Sequence, residues 1–269
     1  MSYLNRGIRF FLFHLTRNPA FLVVYSLNFF NPNYVPRIKY HELTELENLL
    51  RQGKSLIRLG DGEIYIMNGG GIGYQKYDQH LSVTLQRMVS GYADSANYVL
   101  GLAELPLSKS NRQLRQDNLL HCWLPTKVYW QLYFNKKATY FDAHFFYYPG
   151  HIAKYLESYL KTKQLIIATN RQNIDRLKNN QTFPFTAVTF IETPEAEAMS
   201  VYAEIKELVL VVANKIGIKE VVVLAALGPA SKVLAYELSQ LGVQTLDIGR
   251  GIEATYTAER LEQAIYPGL

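Results

Sequence analysis

"KEVVVLAALGPASKVLAYELSQLGVQTLDIG", residues 219–249, runs from an unbroken apolar stretch through one glycine into a helical pattern and out into a second apolar stretch. Residues 219–227 are Val-rich and uncharged after Glu220, which is how a strand covered on both faces reads. Gly228 and Pro229 open a helix with Ser231 in its first turn, and "VQTLDIG" is the next strand. A strand, a helix and a second strand in this order make a parallel crossover unit.

The same alternation extends upstream. Strands are expected at 55–59, 97–103, 137–146, 164–170 and 185–192. The spacing predicts helices in "HELTELENLLRQG", at 78–91, in "SNRQLRQDNLLHCWL" ending before Pro125, from Gly150 to about Leu160, in "RQNIDRLKNN", and at 194–217 with Pro194 in its first turn. No internal repeat interrupts the pattern. The expected fold is α/β and Rossmann-like, a mostly parallel sheet with helices on both faces, occupying residues 37–269 as one domain behind an N-terminal helical, aromatic extension, residues 1–36.

At 269 residues and 48% hydrophobic composition the chain is long enough to bury a full core. Its one cysteine, Cys122, excludes an internal disulfide and fits a reducing compartment. Beside Trp123 and Leu124 it reads as a buried structural thiol rather than a nucleophile. The net charge of +5 is concentrated: the first 60 residues hold eight Lys/Arg and three acids, leaving the remainder neutral. A nucleic-acid binder with a basic surface throughout is therefore not expected.

The extension "NRGIRFFLFHLTRNPAFLVVYSLNFFNPNYVPR" lacks a small-residue cleavage site, and His14, Arg17, Asn18 and Pro19 break its apolar run. It is a poor spanning segment. Two readings stay open. It is an arm packed on the body or on a second subunit, or an interfacial anchor with Phe10, Phe11, Phe13, Phe21 and Leu22 among headgroups and Arg6, Arg9 and Arg17 on anionic lipid.

In parallel α/β sheets ligands bind beyond the carboxyl ends of strands. Four places qualify: after Leu59, Ala143, Leu227 and Ile248. After Leu227, the helix start at Gly228 and Ser231 is compatible with an anion site or with an ordinary turn. After Leu59, "RLGDGE" places Asp61 and Glu63 two residues apart between glycines. Two such carboxylates suit one hard cation that completes its shell with phosphate, and Gly60 and Gly62 let backbone approach a ligand. Arg58 would then pair with phosphate oxygens. An acidic turn fits the pattern equally. Glycines 69–71 have no evident role.

Taken together, Arg58 to Glu63, "GYQKYD" at 73–78, Gly228 to Ser231 and "DIG" at 247–249 resemble the motifs of the D-type (GT-D fold) glycosyltransferase family, formerly a domain of unknown function. The likeness runs in the family's order over roughly residues 40–256. It implies a metal-dependent transferase moving a hexose from a nucleotide-sugar donor, UDP-linked, to a glycan, glycoprotein or lipid-linked acceptor in bacterial surface-glycan assembly. Inversion at the sugar and a place in the cytoplasm, peripheral at the inner face of the plasma membrane, belong to the same expectation.

By that resemblance Asp61 and Glu63 hold Mn²⁺ or Mg²⁺, and Arg58, Gly60, Gly62, Gln75, Lys76, Tyr77, Gly228, Pro229, Ser231, Asp247 and Arg250 surround the donor. Arg250 stands where the family commonly has His. Glu253 is the first candidate for the base that deprotonates the acceptor, and Asp142 with His144 the second. Against this stand another metal- and nucleotide-dependent α/β enzyme, a nucleotidyl- or phosphotransferase, and a non-catalytic partner in a glycosylation complex.

Overall fold

The structure, a computed structural model, describes residues 18–148, 150–180 and 183–255. Its first half contains helix α1 (Pro19–Phe30), strand β1 (Lys39–Tyr40), α2 (Glu45–Arg51), β2 (Ser55–Leu59), α3 (Asp61–Met67), α4 (Gln79–Ser90) and β3 (Tyr98–Leu102). Then follow α5 (Glu104–Ser108), α6 (Asn111–Gln116), α7 (Leu120–Leu132) and β4 (Thr139–Asp142). The second half contains α8 (Glu157–Leu160), β5 (Gln164–Thr169), α9 (Arg171–Asn179), β6 (Val188–Glu192), α10 (Tyr202–Ile216), β7 (Val221–Ala226), α11 (Ala230–Gln240) and β8 (Thr245–Asp247).

The strands form one eight-stranded sheet in the order β1-β4-β3-β2-β8-β7-β5-β6, and every described pairing is parallel. Strand β7, the apolar run of residues 221–226, pairs with β5 from Gln164↔Val221 to Thr169↔Ala226 and with β8 on its other side. Its burial on both faces is why its sequence shows no alternation.

Two cores cover the sheet. One gathers Ile64 and Met67 of α3, Leu85 of α4, Trp123 and Val128 of α7, Val209 of α10 and Leu234 of α11. The other gathers Leu46 and Leu50 of α2, Phe145, Phe146 and Leu177. Chains leaving β2 and β7 therefore turn to one face, while those leaving β5 and β8 turn to the other. Neighbouring strand ends diverge across β2, β8, β7 and β5, and a crevice opens at their carboxyl edge.

Three expectations require correction. Asp61–Gly62–Glu63 is not an isolated turn between glycines but the first turn of α3, started by Glu63 accepting the Gly60 amide at 2.8 Å. Helix α7 runs through Pro125 instead of ending before it. The cost of about 3 kcal/mol for an interior proline is offset by burying Trp123, Leu124, Val128 and Trp130. The helix expected from 194 begins only at Tyr202, because Glu197 adopts a left-handed φ of 57° and breaks the pattern. Its carboxylate instead accepts the Lys76 amide and the Gln75 side chain.

Of the N-terminal extension, residues from 18 onward are described, and α1 packs on α7. Phe21 is fully buried against Tyr129, and Asn28 exchanges side-chain hydrogen bonds with Gln131. The anchor residues expected between Arg6 and Arg17 lie outside the described residues.

Candidate functional site

Arg58 occupies the next-to-last position of β2, and its side chain ties three strand ends together. Its backbone amide donates to Asp247 Oδ2 at 3.1 Å, Nε donates to Asp247 O at 2.7 Å, and Nη1 donates to Ala143 O at 3.1 Å. The guanidinium lies over the Phe146 and Tyr147 rings, 5.6 and 5.1 Å from their centroids. Asp247, fully buried at the end of β8, also faces Lys232, whose Nζ is 3.2 Å from Oδ2.

Lys232 is the centre of the arrangement. Besides Asp247 it meets Glu63 Oε1 at 3.4 Å and the carbonyl of Gly228 at 3.4 Å. Burial alone would drive off its proton, but Asp247 and Glu63 hold the ammonium charged and raise its pKa. Two buried cations, Arg58 and Lys232, thus balance two buried anions, Asp247 and Glu63. Asp61 stands outside that balance. Burial, then the charge of Glu63, push its carboxyl above the usual range, against the opposing pull of a hydrogen bond from the Cys122 thiol.

Apart from the fully buried Asp247, which stands behind the wall, the charged groups line a cavity of about 480 Å³ whose wall includes Arg58 to Glu63, Ala143, His144, Tyr147, Gly228, Lys232 and Gly249 to Ile252 without Gly251. All four strand ends singled out in the sequence meet there, joined by the end of β5 through Asn170 and Asn173. Tyr74 lies against Gly228 and closes one side.

Other expected residues take different places. Ser231 is buried, and its hydroxyl accepts the Leu227 amide at 2.9 Å, so it locks the turn. Pro229 is buried behind that turn and is not part of the lining. Gln75, Lys76 and Tyr77 also lie off the lining: Gln75 is buried against Glu197, while Lys76 and Tyr77 are exposed. Asp142 accepts the amides of Glu104 and His144, both at 3.1 Å, and so orders the loop that carries His144 into the cavity wall. Arg250 is exposed at the rim. Glu253 falls in the final 3-10 turn (Gly249–Thr255), and its side chain lies outside the described residues.

Lys232, Tyr74, Tyr147, Asn170, Asn173 and Glu195 complete the wall and were not anticipated. For Lys232 the sequence does hold a signal. It sits four residues after the strand-end glycine, on a helix turn otherwise occupied by small or apolar residues, Ala230, Ser231, Val233 and Leu234. A lysine on an apolar helix face is tolerated where a charge cluster receives it.

Among the described residues no group of three or more His, Cys, Asp or Glu side chains converges on a common metal position. Asp61 and Glu63 supply oxygen ligands only, which suits a hard cation sharing its shell with a substrate phosphate. The partly uncompensated charge of Asp61 fits that role. Glu63 is already engaged through Oε2 by the Gly60 amide, and through Oε1 by Lys232.

Comparison with known proteins agrees with this fold. The profile of the glycosyltransferase GT-D fold family matches residues 56–261. A probable glycosyl transferase Gly of Streptococcus gordonii is 28% identical over 78% of this chain, and glycosyltransferase GlyD of Streptococcus pneumoniae serotype 4 is 25% identical over 78%. The matched region is 31% and 26% of those proteins, so the chain spans about a third or less of their length. A solved structure from Streptococcus sanguinis, described as a new glycosyltransferase of domain of unknown function 1792, superposes with a TM-score of 0.67 at 24% identity, covering 81% of this chain and 83% of that one. A second, described as showing that this domain has a distinct glycosyltransferase fold, gives 0.63 at 23% identity, over 89% and 88%.

Proposed function

The chain belongs to the GT-D fold family of glycosyltransferases, and from that premise we propose that it transfers a hexose from a nucleotide-sugar donor, UDP-linked, to a glycan, glycoprotein or lipid-linked acceptor. The work is done at the inner face of the plasma membrane, in bacterial surface-glycan assembly. The observation that carries the reading is the meeting of Lys232, Arg58, Asp61 and Glu63 in one cavity at the carboxyl edge of the sheet.

In the reaction an acceptor hydroxyl oxygen bonds to the anomeric carbon, the bond from that carbon to the nucleoside diphosphate breaks, and the diphosphate leaves with the electron pair. The difficulty is the charge that develops on the leaving group. Lys232 offers a fixed ammonium held beside the Gly228 turn, where it needs no reorganisation during transfer. Arg58 stays charged and rigid under Phe146 and Tyr147, and it holds Asp247 so that Lys232 is positioned from behind. Arg250 adds positive charge at the rim.

Asp61 and Glu63 would hold Mn²⁺ or Mg²⁺, which supplies Lewis-acid neutralisation of the diphosphate without a proton. The acceptor proton is assigned to Glu253 with inversion at the sugar. Asp142, tied to two backbone amides, orients His144 instead of acting as the base.

The test is a screen of sugar nucleotides for Mn²⁺- or Mg²⁺-dependent hydrolysis, together with thermal melts in UDP. A nucleotide at 100 times its dissociation constant stabilises the fold by about 2.7 kcal/mol. If no nucleoside diphosphate moves the melt and no sugar nucleotide is hydrolysed, the reading fails.

A further inference from the structure

Helix α1 carries twelve residues, "PAFLVVYSLNFF", without a single charge. One side is spent on the body: Phe21 and Asn28 are buried against α7. The opposite side is apolar as well. Val23, Leu27 and Phe30 are 59%, 67% and 80% exposed and follow one another at helical spacing, and Phe29 is exposed as well. A helix apolar on all sides belongs between two apolar surroundings, and the protein supplies only one of them among the described residues.

The sequence that carries this stripe has charge of one sign. The first 41 residues contain five Lys/Arg and no acid. Arg115 donates to the carbonyl of Phe29 at 3.0 Å with its guanidinium over the Phe29 ring, and the Arg112 amide donates to Pro32 at the helix's carboxyl end. Arg112 and Arg115 are exposed, and neither forms an ion pair among the described residues. Helix α1 is about 18 Å long at 1.5 Å per residue, and no helix among the described residues is long and apolar enough to cross a membrane.

We propose that the exposed face of α1, with Val23, Leu27 and Phe30 as its inserted side chains and Arg112 and Arg115 at its edge, is a docking surface for the headgroup region of a bilayer containing anionic lipid. An apolar stripe bordered by cations is what a helix lying in that plane presents. A second copy of the chain is the poorer occupant: a parallel two-fold contact brings the two sets of arginines together, and an antiparallel one puts each set at the amino end of the partner's α1, where the helix dipole disfavours cations. The surface lies one helix from the cavity: α1 rests on α7, whose Cys122 hydrogen-bonds Asp61. The proposal deepens the membrane-surface placement proposed above, and it is independent of the transfer chemistry.

The test is flotation of the full chain with vesicles of phosphatidylcholine alone, or with roughly 30% phosphatidylglycerol. No donor or acceptor is present, so failure here leaves the transfer reading untouched. The wild type floats with the anionic vesicles and far less with phosphatidylcholine. Val23→Ser, Leu27→Ser and Phe30→Ser combined lower the bound fraction about tenfold or more while the melting temperature stays near that of the wild type, since these side chains are exposed. Arg112→Glu with Arg115→Glu weakens binding at low salt and flattens its salt dependence. Several outcomes overturn the proposal: no binding to anionic vesicles, undiminished binding by both variants, or binding abolished solely by deleting residues 1–17. A dimer in solution that the triple serine variant dissociates, without any flotation, assigns the face to a second copy instead.

Discussion

Glu63 Oε1 lies 3.4 Å from Lys232 Nζ while its Oε2 accepts the Gly60 amide at 2.8 Å, so one carboxylate both starts helix α3 and pairs with the cavity's central cation. The two side chains are about nine-tenths buried. Removing one partner of such a pair strands a charge away from water. Lys232→Met is expected to lower the unfolding free energy by roughly 3–5 kcal/mol, and Glu63→Gln by less because an amide oxygen still accepts from Gly60. Urea melts of the single and double variants measure the coupling. The double variant should lose at least about 1 kcal/mol less than the sum of the singles, and strict additivity would mean that the contact carries no energy.

Asp61 makes the opposite kind of contribution. Burial and Glu63 raise its folded pKa above the unfolded value, so the folded state binds its proton more tightly. The stability linked to that proton is fully present below the unfolded pKa of about 3.9 and is lost as pH rises through the folded one. Asp61→Asn has no such loss. Its melting temperature should therefore gain on the wild type as pH is raised from about 4 to about 7, while any Mn²⁺-dependent stabilisation by UDP disappears. Wild type and variant are melted side by side in each buffer, so that buffer effects cancel in the difference. If the difference between the two proteins is flat with pH, burial and Glu63 do not raise the Asp61 carboxyl.

Much of the fold is legible in the chain because parallel strands buried on both faces read as unbroken apolar runs, as in Val221–Ala226. The site is legible where a glycine follows such a run, at Gly60, Gly228 and Gly249. Legibility ends where a residue's role is set by partners distant in sequence. Lys232 becomes buried because Asp247 and Glu63 reach it from β8 and α3. Glycines 69–71, without a role in the sequence, have two reasons for their identity: Gly69 adopts a left-handed φ of 80°, while a Cβ on Gly70 would overlap the Tyr65 ring and one on Gly71 would meet the Tyr77 amide at 2.8 Å. They make a tight corner against α3. Helix α3 itself escapes notice because Gly60 and Gly62 are poor helix residues, while the Glu63 cap that rescues them reads as an acidic turn.

Gly249 and Gly150 allow the Arg58 contact to be isolated. Both have left-handed φ, 48° and 79°, so alanine strains the backbone at either position by roughly 1–2 kcal/mol. Space separates them. A Cβ at 249 would overlap Arg58 Nη2, whereas nothing lies within 4 Å of one at 150. Gly249→Ala should therefore cost more stability than Gly150→Ala, by about 1 kcal/mol or more, and should also weaken nucleotide-induced stabilisation, which Gly150→Ala spares. Equal effects of the two in melts with and without UDP would show that Arg58 tolerates displacement.

Lys127 on α7 is another buried cation, and its hydrogen-bond acceptors are all uncharged: its ammonium donates to the carbonyls of Tyr34 and Lys109, at 3.2 and 2.7 Å, and to Asn111 Oδ1 at 2.9 Å. It thereby fastens the segment after α1 to the body. Burial lowers its pKa from 10.5 to about 8. Because the unfolded chain then holds that proton more tightly than the folded one, the linked stability rises as pH climbs from about 8 toward 10.5. Lys127→Met keeps the length of the side chain but leaves three acceptors without their donor, at a cost of about 1–3 kcal/mol for each one that water cannot reach. The variant should melt lower than the wild type at neutral pH, and the gap should widen between about pH 8 and pH 10. Proteolysis near residue 34 should quicken with it, since Tyr34 loses its tie. A gap that narrows over that range would mean the ammonium stabilises the fold as a charge, through its three acceptors, more than burial opposes it.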